Sequence, residues 1–312
     1  MEKVSIFERP VWVAVLALTA AVSWGWAYPL IKLGFGALGI TADMTGCKLL
    51  FAGVRFALSG AIVLALARVM GKDFALKRDG GGGGVWGGVA FVIAFSMLNT
   101  FLHYMCFYIG LSYSFGSRAA ILNSLSVFVT VIAACVLFAS DRFTLRKVVG
   151  CMVGFAGIVM LNLGGEGSGG FTWLGDGMIV LNALSGAGAS LMTRGLGRRM
   201  DVFVGTGLSL LIGGVGLVGV GWCMGGVWPV FSWWAVVVLA LLVAISALSF
   251  SIYNRLLMCN PVGRVAIYNS LIPVVGAVTS CLCLGEPFLW NYVTAAVLAT
   301  VGIYLVNTRP RP

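Results

Sequence analysis

The sequence predicts an all-α integral membrane protein: ten transmembrane helices in two inverted-topology five-helix repeats, with the N- and C-termini cytoplasmic. Composition is the first of three observations behind this reading. Of 312 residues, 60% are hydrophobic and only 10% are charged, and the mean hydropathy is +1.03. A soluble domain has about 45–50% apolar and ~25% charged residues, so a water-soluble fold of this length has no interior large enough for so much apolar surface. The second is segregation: charged residues fall between apolar stretches long enough to cross a hydrocarbon core about 30 Å thick. Third, the chain repeats itself. Arg118–Leu125 (RAAILNSL) matches Arg264–Leu271 (RVAIYNSL) at six of eight positions, at an offset of 146.

The apolar stretches lie, in order, near Pro10–Leu33, Gly46–Met70, Val85–Tyr113, Arg118–Ala139, Arg146–Leu163, Phe171–Thr193, Val202–Met224, Trp233–Met258, Arg264–Leu284 and Phe288–Val306. Repeat one then covers residues 10–163, a Gly-rich link covers 164–170, and repeat two covers 171–307. Five spans is an odd number, so the second copy enters the membrane from the opposite face. That architecture places a substrate site near the midplane, between the halves. With the N-terminus inside, sixteen Lys and Arg fall on cytoplasmic segments, only Lys32, Lys48 and Arg118 fall on the other face, and Arg55 stands within a span. The positive-inside rule fixes the orientation accordingly. The run Arg78–Gly84 (RDGGGGG) is a flexible cytoplasmic connection; it lacks the Gly-Lys-Ser/Thr that a phosphate-binding loop requires.

Other classes fit poorly. The net charge of +10 invites nucleic acid, but the basic residues are scattered between helices and form no stripe. The eight cysteines sit almost entirely inside apolar stretches without a CxxC pair, so they read as small core residues and not as a disulfide framework or metal site. Lys3 and Arg9 precede an apolar run too long for a signal peptide, which is therefore read as a first, uncleaved span. One His, no HExxH, no GxSxG and no mid-span carboxylate pair leave an enzyme without catalytic groups, and no cofactor or metal is expected.

Polar residues inside a span are costly and face the bundle interior or a water-filled cavity. Ser96, Asn99 and His103 in the third span recur at i, i+3 and i+7; Ser246, Ser249 and Tyr253 in the eighth do the same. Asn123, Ser126 and Thr130 line up in the fourth, and Asn269 with Pro273 in the ninth. Trp24, Tyr28 and Lys32 stack at four-residue spacing in the first, beside Trp26 and Pro29. An aromatic wall ending in a cation suits a solute with a flat or apolar part and a carboxylate; the other reading is a lipid-facing aromatic belt with Lys32 snorkelling to the interface. The candidate substrate-binding residues are Trp24, Tyr28, Asn99, His103, Tyr108, Asn123, Asn182, Ser246, Tyr253 and Asn269. His103 is a candidate proton carrier, since imidazole changes charge between about pH 5 and 8; otherwise it is a neutral hydrogen-bonding residue. Arg55 either pairs internally or faces the cavity, where it binds an anion. Gly150, Gly154 and Gly157, answered by Ala295, Ala299 and Gly302, let two helices approach closely.

Asn269-Ser270-Leu271-Ile272-Pro273 followed by Leu284-Gly285-Glu286-Pro287 resembles the drug/metabolite transporter superfamily, specifically its EamA-type ten-helix members. Trp24-Gly25 with Lys32, Arg55-Phe56 and Asp141-Arg142-Phe143 support the resemblance in the first half, although the Pro expected near Val127 is missing and Asp141 replaces the usual Glu. The resemblance implies a membrane transporter of a small organic solute, an amino acid or related metabolite, working by alternating access and by family habit in the export direction. It also implies a multi-pass location in a bacterial inner membrane, with the lipid bilayer and the solute as partners, no nucleic acid, and a monomer or weak homodimer. Relatives that expel cationic drugs against protons use a buried carboxylate in the first helix, and none is present here. Lipid or polyprenyl-linked substrate flippases of the same superfamily are the alternative reading.

Overall fold

The computed structural model describes residues 6–77, 84–137, 144–160, 170–228, 230–260, 265 and 267–307. Within them the chain is helical and contains no strand: α1 (Pro10–Leu38), α2 (Thr45–Val69), α3 (Gly84–Ser96), α4 (His103–Tyr113), α5 (Gly116–Asn123), α6 (Leu125–Leu137), α7 (Leu145–Met160), α8 (Met178–Arg199), α9 (Val202–Cys223), α10 (Trp233–Cys259), α11 (Leu271–Leu284) and α12 (Trp290–Asn307). A π-helical turn, Met97–Leu102, joins α3 to α4; another, Trp173–Gly177, leads into α8; a 3₁₀ turn, Ile267–Ser270, precedes α11. Residues 164–169 of the inter-repeat link, 78–83 of the Gly-rich run, and the Asp141–Phe143 turn lie outside the described residues.

Local chemistry sets the helix ends. Pro10 stands in the first turn of α1, where its missing N–H is no loss. Gly39 ends that helix at φ 66°, a left-handed conformation that favours glycine, with its N–H on the Gly36 carbonyl and the Ile40 N–H on the Phe35 carbonyl. Asp201 caps α9 by accepting from the Phe203 N–H at 2.8 Å.

Six helical stretches are long and apolar enough to cross a membrane: Pro10–Leu38, Thr45–Val69, Trp86–Tyr113, Gly116–Leu137, Val202–Cys223 and Trp233–Leu256; Leu271–Leu284 and Trp290–Val306 are shorter apolar helices. Polarity is inverted relative to a soluble protein. Val, Leu and Trp side chains are exposed along the outside, with Trp86, Trp173, Trp222, Trp233 and Trp290 at helix ends, where indoles favour the membrane interface. Lys48, Arg55, Arg118, Asp176 and Asn182 are buried within. Cys223 and Cys283 are on the apolar exterior, whereas Cys47, Cys106 and Cys151 are core residues as expected; all the cysteines are free.

Among the described residues, two antiparallel helix pairs pack at backbone distance repeatedly along their length. Along α2, Gly46 meets Gly221 and Gly226, Gly53 meets Gly214, and Gly60 meets Gly207 and Leu211 of α9. A Cβ at Gly60 would stand 2.4 Å from the Leu211 nitrogen, so only glycine permits the contact. Between α7 and α12 the same occurs: Gly150 meets Gly302, and Gly157 meets Ala295 and Ala299. α1 packs on α10 and α11, α8 packs on α4 and on α5 and α6, and α5 lies against α11.

Candidate substrate site

The NSL sequence interrupts helix at both of its occurrences. Asn123 ends α5 and Leu125 opens α6, while Ser270 ends the 3₁₀ turn and Leu271 opens α11. At the first break the Ser124 hydroxyl donates to the Ile121 carbonyl at 2.6 Å, a local side-chain donor that competes with continued helix. Each break presents an Asn to a Tyr on another helix. Asn123 Nδ2 donates to Tyr28 Oη of α1 at 2.9 Å, and Asn269 Nδ2 donates to Tyr253 Oη of α10 at 2.7 Å.

From the first of these a chain continues into α8. Asn182 Nδ2 donates to Asn123 Oδ1 at 2.6 Å, and the Asn182 carbonyl lies 3.1 Å from His103 Nδ1. A carbonyl can only accept, so this contact selects the Nδ1-protonated tautomer. Aromatic rings join the two Asn–Tyr pairs: Trp24 meets Tyr253 at 5.1 Å and Phe250 at 5.4 Å between ring centres, Phe250 meets Tyr104 at 6.5 Å, Tyr104 meets Phe107 at 6.1 Å, and Phe107 meets Tyr28 at 5.3 Å. All are edge-on contacts, the favoured geometry for aromatic pairs.

Among the described residues, three buried polar atoms in this seam lack a hydrogen-bond partner: Trp24 Nε1, Asn182 Oδ1 and Asn269 Oδ1. Native interiors leave few such groups unsatisfied, because each costs about 1–3 kcal/mol. One donor and two acceptors thus lie buried and unsatisfied among α1, α8, α10 and the 3₁₀ turn, groups of the kind that bind a polar solute.

Of the candidate residues, the structure joins Trp24, Tyr28, His103, Asn123, Asn182, Tyr253 and Asn269 in this seam. Tyr108 and Ser246 lie on its flank, where both bond to Arg55: Nη1 donates to Tyr108 Oη and Nε to Ser246 Oγ, each at 2.9 Å. Asn99 points elsewhere, donating to Ser209 Oγ of α9 at 3.0 Å. The π-helical turn carries it off the face of His103, a departure from the regular spacing assumed in the sequence. Trp26 is exposed on the outside, in contrast to Trp24.

Charge is handled at the end of the bundle where α1 finishes and α5 begins. Lys32 does not snorkel; its Nζ lies 3.2 Å from Glu286 Oε1. The Glu286 carboxylate also accepts from the Gly116 and Ser117 N–H groups, at 2.7 and 3.0 Å, and from Ser117 Oγ at 2.8 Å, at the positive end of the α5 dipole. Burial pushes its carboxyl up, but the backbone donors, Lys32 and the hydroxyl together outweigh it and hold the group below its usual range. Arg118, counted in the sequence among the basic residues of the outer face, is buried, with Nε 2.9 Å from Asp176 Oδ1. Asp176 was missed in the sequence because it opens an apolar stretch; an acid so placed signals a buried partner.

A helical bundle with an apolar exterior and a polar, aromatic-lined interior is the architecture of a polytopic membrane protein. The EamA-like transporter family matches over residues 11–163 and again over 173–308, and the chain belongs to that family. It is similar to the uncharacterized transporter YvbV of Bacillus subtilis (strain 168), with 27% identity across 96% of this chain and 92% of that one. A solved crystal structure shares the fold at a TM-score of 0.63, with 18% identity over 94% of this chain and 95% of the other.

Proposed function

We propose that this EamA-family transporter moves an amino acid or related small metabolite out of the cell across a bacterial inner membrane, by alternating access between two inverted five-helix repeats. The observation that carries the reading is the matched pair Asn123 and Asn269. Both occupy the same position of the repeated octapeptide, both sit at a helix break, and both hold a tyrosine of another helix. Broken helices meeting at mid-depth supply unpaired backbone and side-chain groups to a solute, which is how inverted-repeat transporters build their sites.

The antiparallel pairing of α2 with α9 and of α7 with α12 supports the inversion, because these are the second and the fifth spans of the two halves in a ten-span count. The doubled family match, with its gap at residues 164–172, supports the repeat boundaries. The seam offers one donor, two acceptors and a wall of rings, suited to a molecule with both polar and apolar parts.

Purified protein in liposomes, loaded with radiolabelled amino acids in turn, tests this with and without a pH gradient. Efflux of at least one amino acid above protein-free vesicles is expected. Scrambling of a labelled lipid in the same vesicles, without amino-acid flux, overturns the reading.

A further inference from the structure

Arg55 is the eleventh residue of α2 and 2% exposed. At 1.5 Å per residue it lies about 15 Å along the helix, near half the thickness of a hydrocarbon core. A guanidinium stays protonated at any physiological pH, so it cannot escape its charge by titration. Burying an uncompensated charge in apolar surroundings costs several kcal/mol or more. Neutralisation is therefore required.

The other interior cations are answered from within the chain. Lys32 has Glu286 and Arg118 has Asp176. Lys48, in the first turn of α2, reaches the Ala42 carbonyl at 2.6 Å and Ser112 Oγ at 2.8 Å, with Asp43 of the preceding loop acting on it. Arg55 stands deeper: among the described residues neither it nor Lys48 has a carboxylate within 4 Å, but Lys48 lies in the first turn of α2 on a backbone carbonyl whereas Arg55 lies mid-helix. Its bonds use Nε, to Ser246, and Nη1, to Tyr108, two neutral hydroxyls that orient the fork without neutralising it. Phe56, whose ring centre is 4.8 Å from Cζ, offers only its quadrupole. A held, oriented fork with no counter-charge is prepared for a planar anion, which it grips in bidentate fashion.

The fork adjoins the seam. Phe56 lies 3.9 Å from Tyr104 between ring centres, and Tyr104 is among the rings joining Trp24 to Tyr28. A solute whose carboxylate meets Arg55 can extend along those rings toward Asn182 Oδ1 and Asn269 Oδ1, two unpaired acceptors fit for an ammonium.

We propose that Arg55 anchors the carboxylate of the transported solute, so that the substrates are carboxylate-bearing, with α-amino acids the fitting class and simple amines excluded. This rests on the transport reading above and names its substrate class. The test measures efflux of leucine, phenylalanine and threonine from liposomes against efflux of their amides and of the amines lacking the carboxyl group. It uses wild type, Arg55→Gln and Arg55→Lys, with thermal unfolding of each protein in detergent.

Wild type is expected to move the acids and not the amides or amines. Arg55→Gln raises the half-saturating concentration for the acid by about 10- to 100-fold, as expected for loss of a charge-assisted contact, and Arg55→Lys by less. The acid raises the melting temperature of wild type and not that of Arg55→Gln. Because Arg55→Gln removes a charge and strands no carboxylate, its own melting temperature is expected to stay at the wild-type value. Equal handling of acid and amide by a wild type that transports both overturns this inference and leaves the transport reading standing; no flux of any probe overturns both. A collapse of folding in Arg55→Gln and Arg55→Lys alike, with acid and amide stabilising wild type equally, assigns Arg55 a structural role and overturns the inference too.

Discussion

Asn182 donates to Asn123 at 2.6 Å while Asn123 donates to Tyr28 at 2.9 Å, so one amide ties α8, α5 and α1 together. Asn123 is the link that both neighbours share. Asn123→Leu removes two interhelical hydrogen bonds, at about 0.6 kcal/mol each on the average for membrane helices, and is expected to lower stability by roughly 1 kcal/mol. Transport falls further, by about tenfold or more, because the solute loses an oriented polar contact of ~1.5 kcal/mol. Flux in liposomes beside thermal unfolding in detergent checks both. Asn99→Leu, which breaks contacts to Thr100 and Ser209 away from the seam, is expected to leave the half-saturating concentration unchanged.

Arg118 and Asp176 form a pair that is 3% and 2% exposed. Removing one member strands the other, at a cost of about 3–5 kcal/mol for a buried pair. Asp176→Leu is therefore expected to abolish folded protein, and the double variant Arg118→Met with Asp176→Leu to recover much of it. Yield of monodisperse protein by size-exclusion chromatography reads the difference.

Glu286 supplies a pH dependence. Its carboxyl is depressed in the folded protein, so its contribution to stability is fully present above the ordinary carboxylate value of 4.5 and is lost as pH falls through the lower folded value. Melting temperature is expected to drop as pH falls below 4.5 and through the depressed folded value, where protonation releases Lys32 and the α5 N-terminus. Glu286→Gln is expected to show the lower stability already at pH 7 and a flatter acid limb.

The α2–α9 contact has no room for a methyl group at Gly60. Gly60→Ala is expected to cost about 1–3 kcal/mol by forcing the helices apart. Gly36→Ala in α1, with nothing within 4 Å, is expected to be neutral or to stabilise by up to about 1 kcal/mol through helix propensity. Unfolding of the two variants under one denaturant series separates close approach from backbone entropy.

The helical class and the doubled NSL octapeptide were legible from the sequence alone, because lipid imposes long apolar runs and because identical residues at a fixed offset survive without knowledge of contacts. Gly150, Gly157, Ala295 and Gly302 also declared their pairing, since small residues at regular spacing have few other uses in a membrane helix. Side-chain partners were not legible. Lys32 looked ready to snorkel because Glu286 stands 254 positions away, and periodicity carries no information on such a separation. Arg118 was counted on the outer face at the start of its apolar stretch, with no partner visible, because Asp176 sits in another apolar stretch. Asn99 was assigned to the His103 face by a 3.6-residue period that the π-helical turn breaks.

The central claim is a polar seam around Asn123 and Asn269 that opens to one side of the membrane at a time. Thiol labelling tests it most directly. In a background with its native cysteines replaced, single cysteines at positions 123 and 269 are exposed to a membrane-impermeant maleimide from either face of sealed vesicles. Labelling of both positions, slowed by the transported amino acid, is expected. Failure of the impermeant reagent to reach either position from either face, while a lipid-soluble maleimide labels both, contradicts the account.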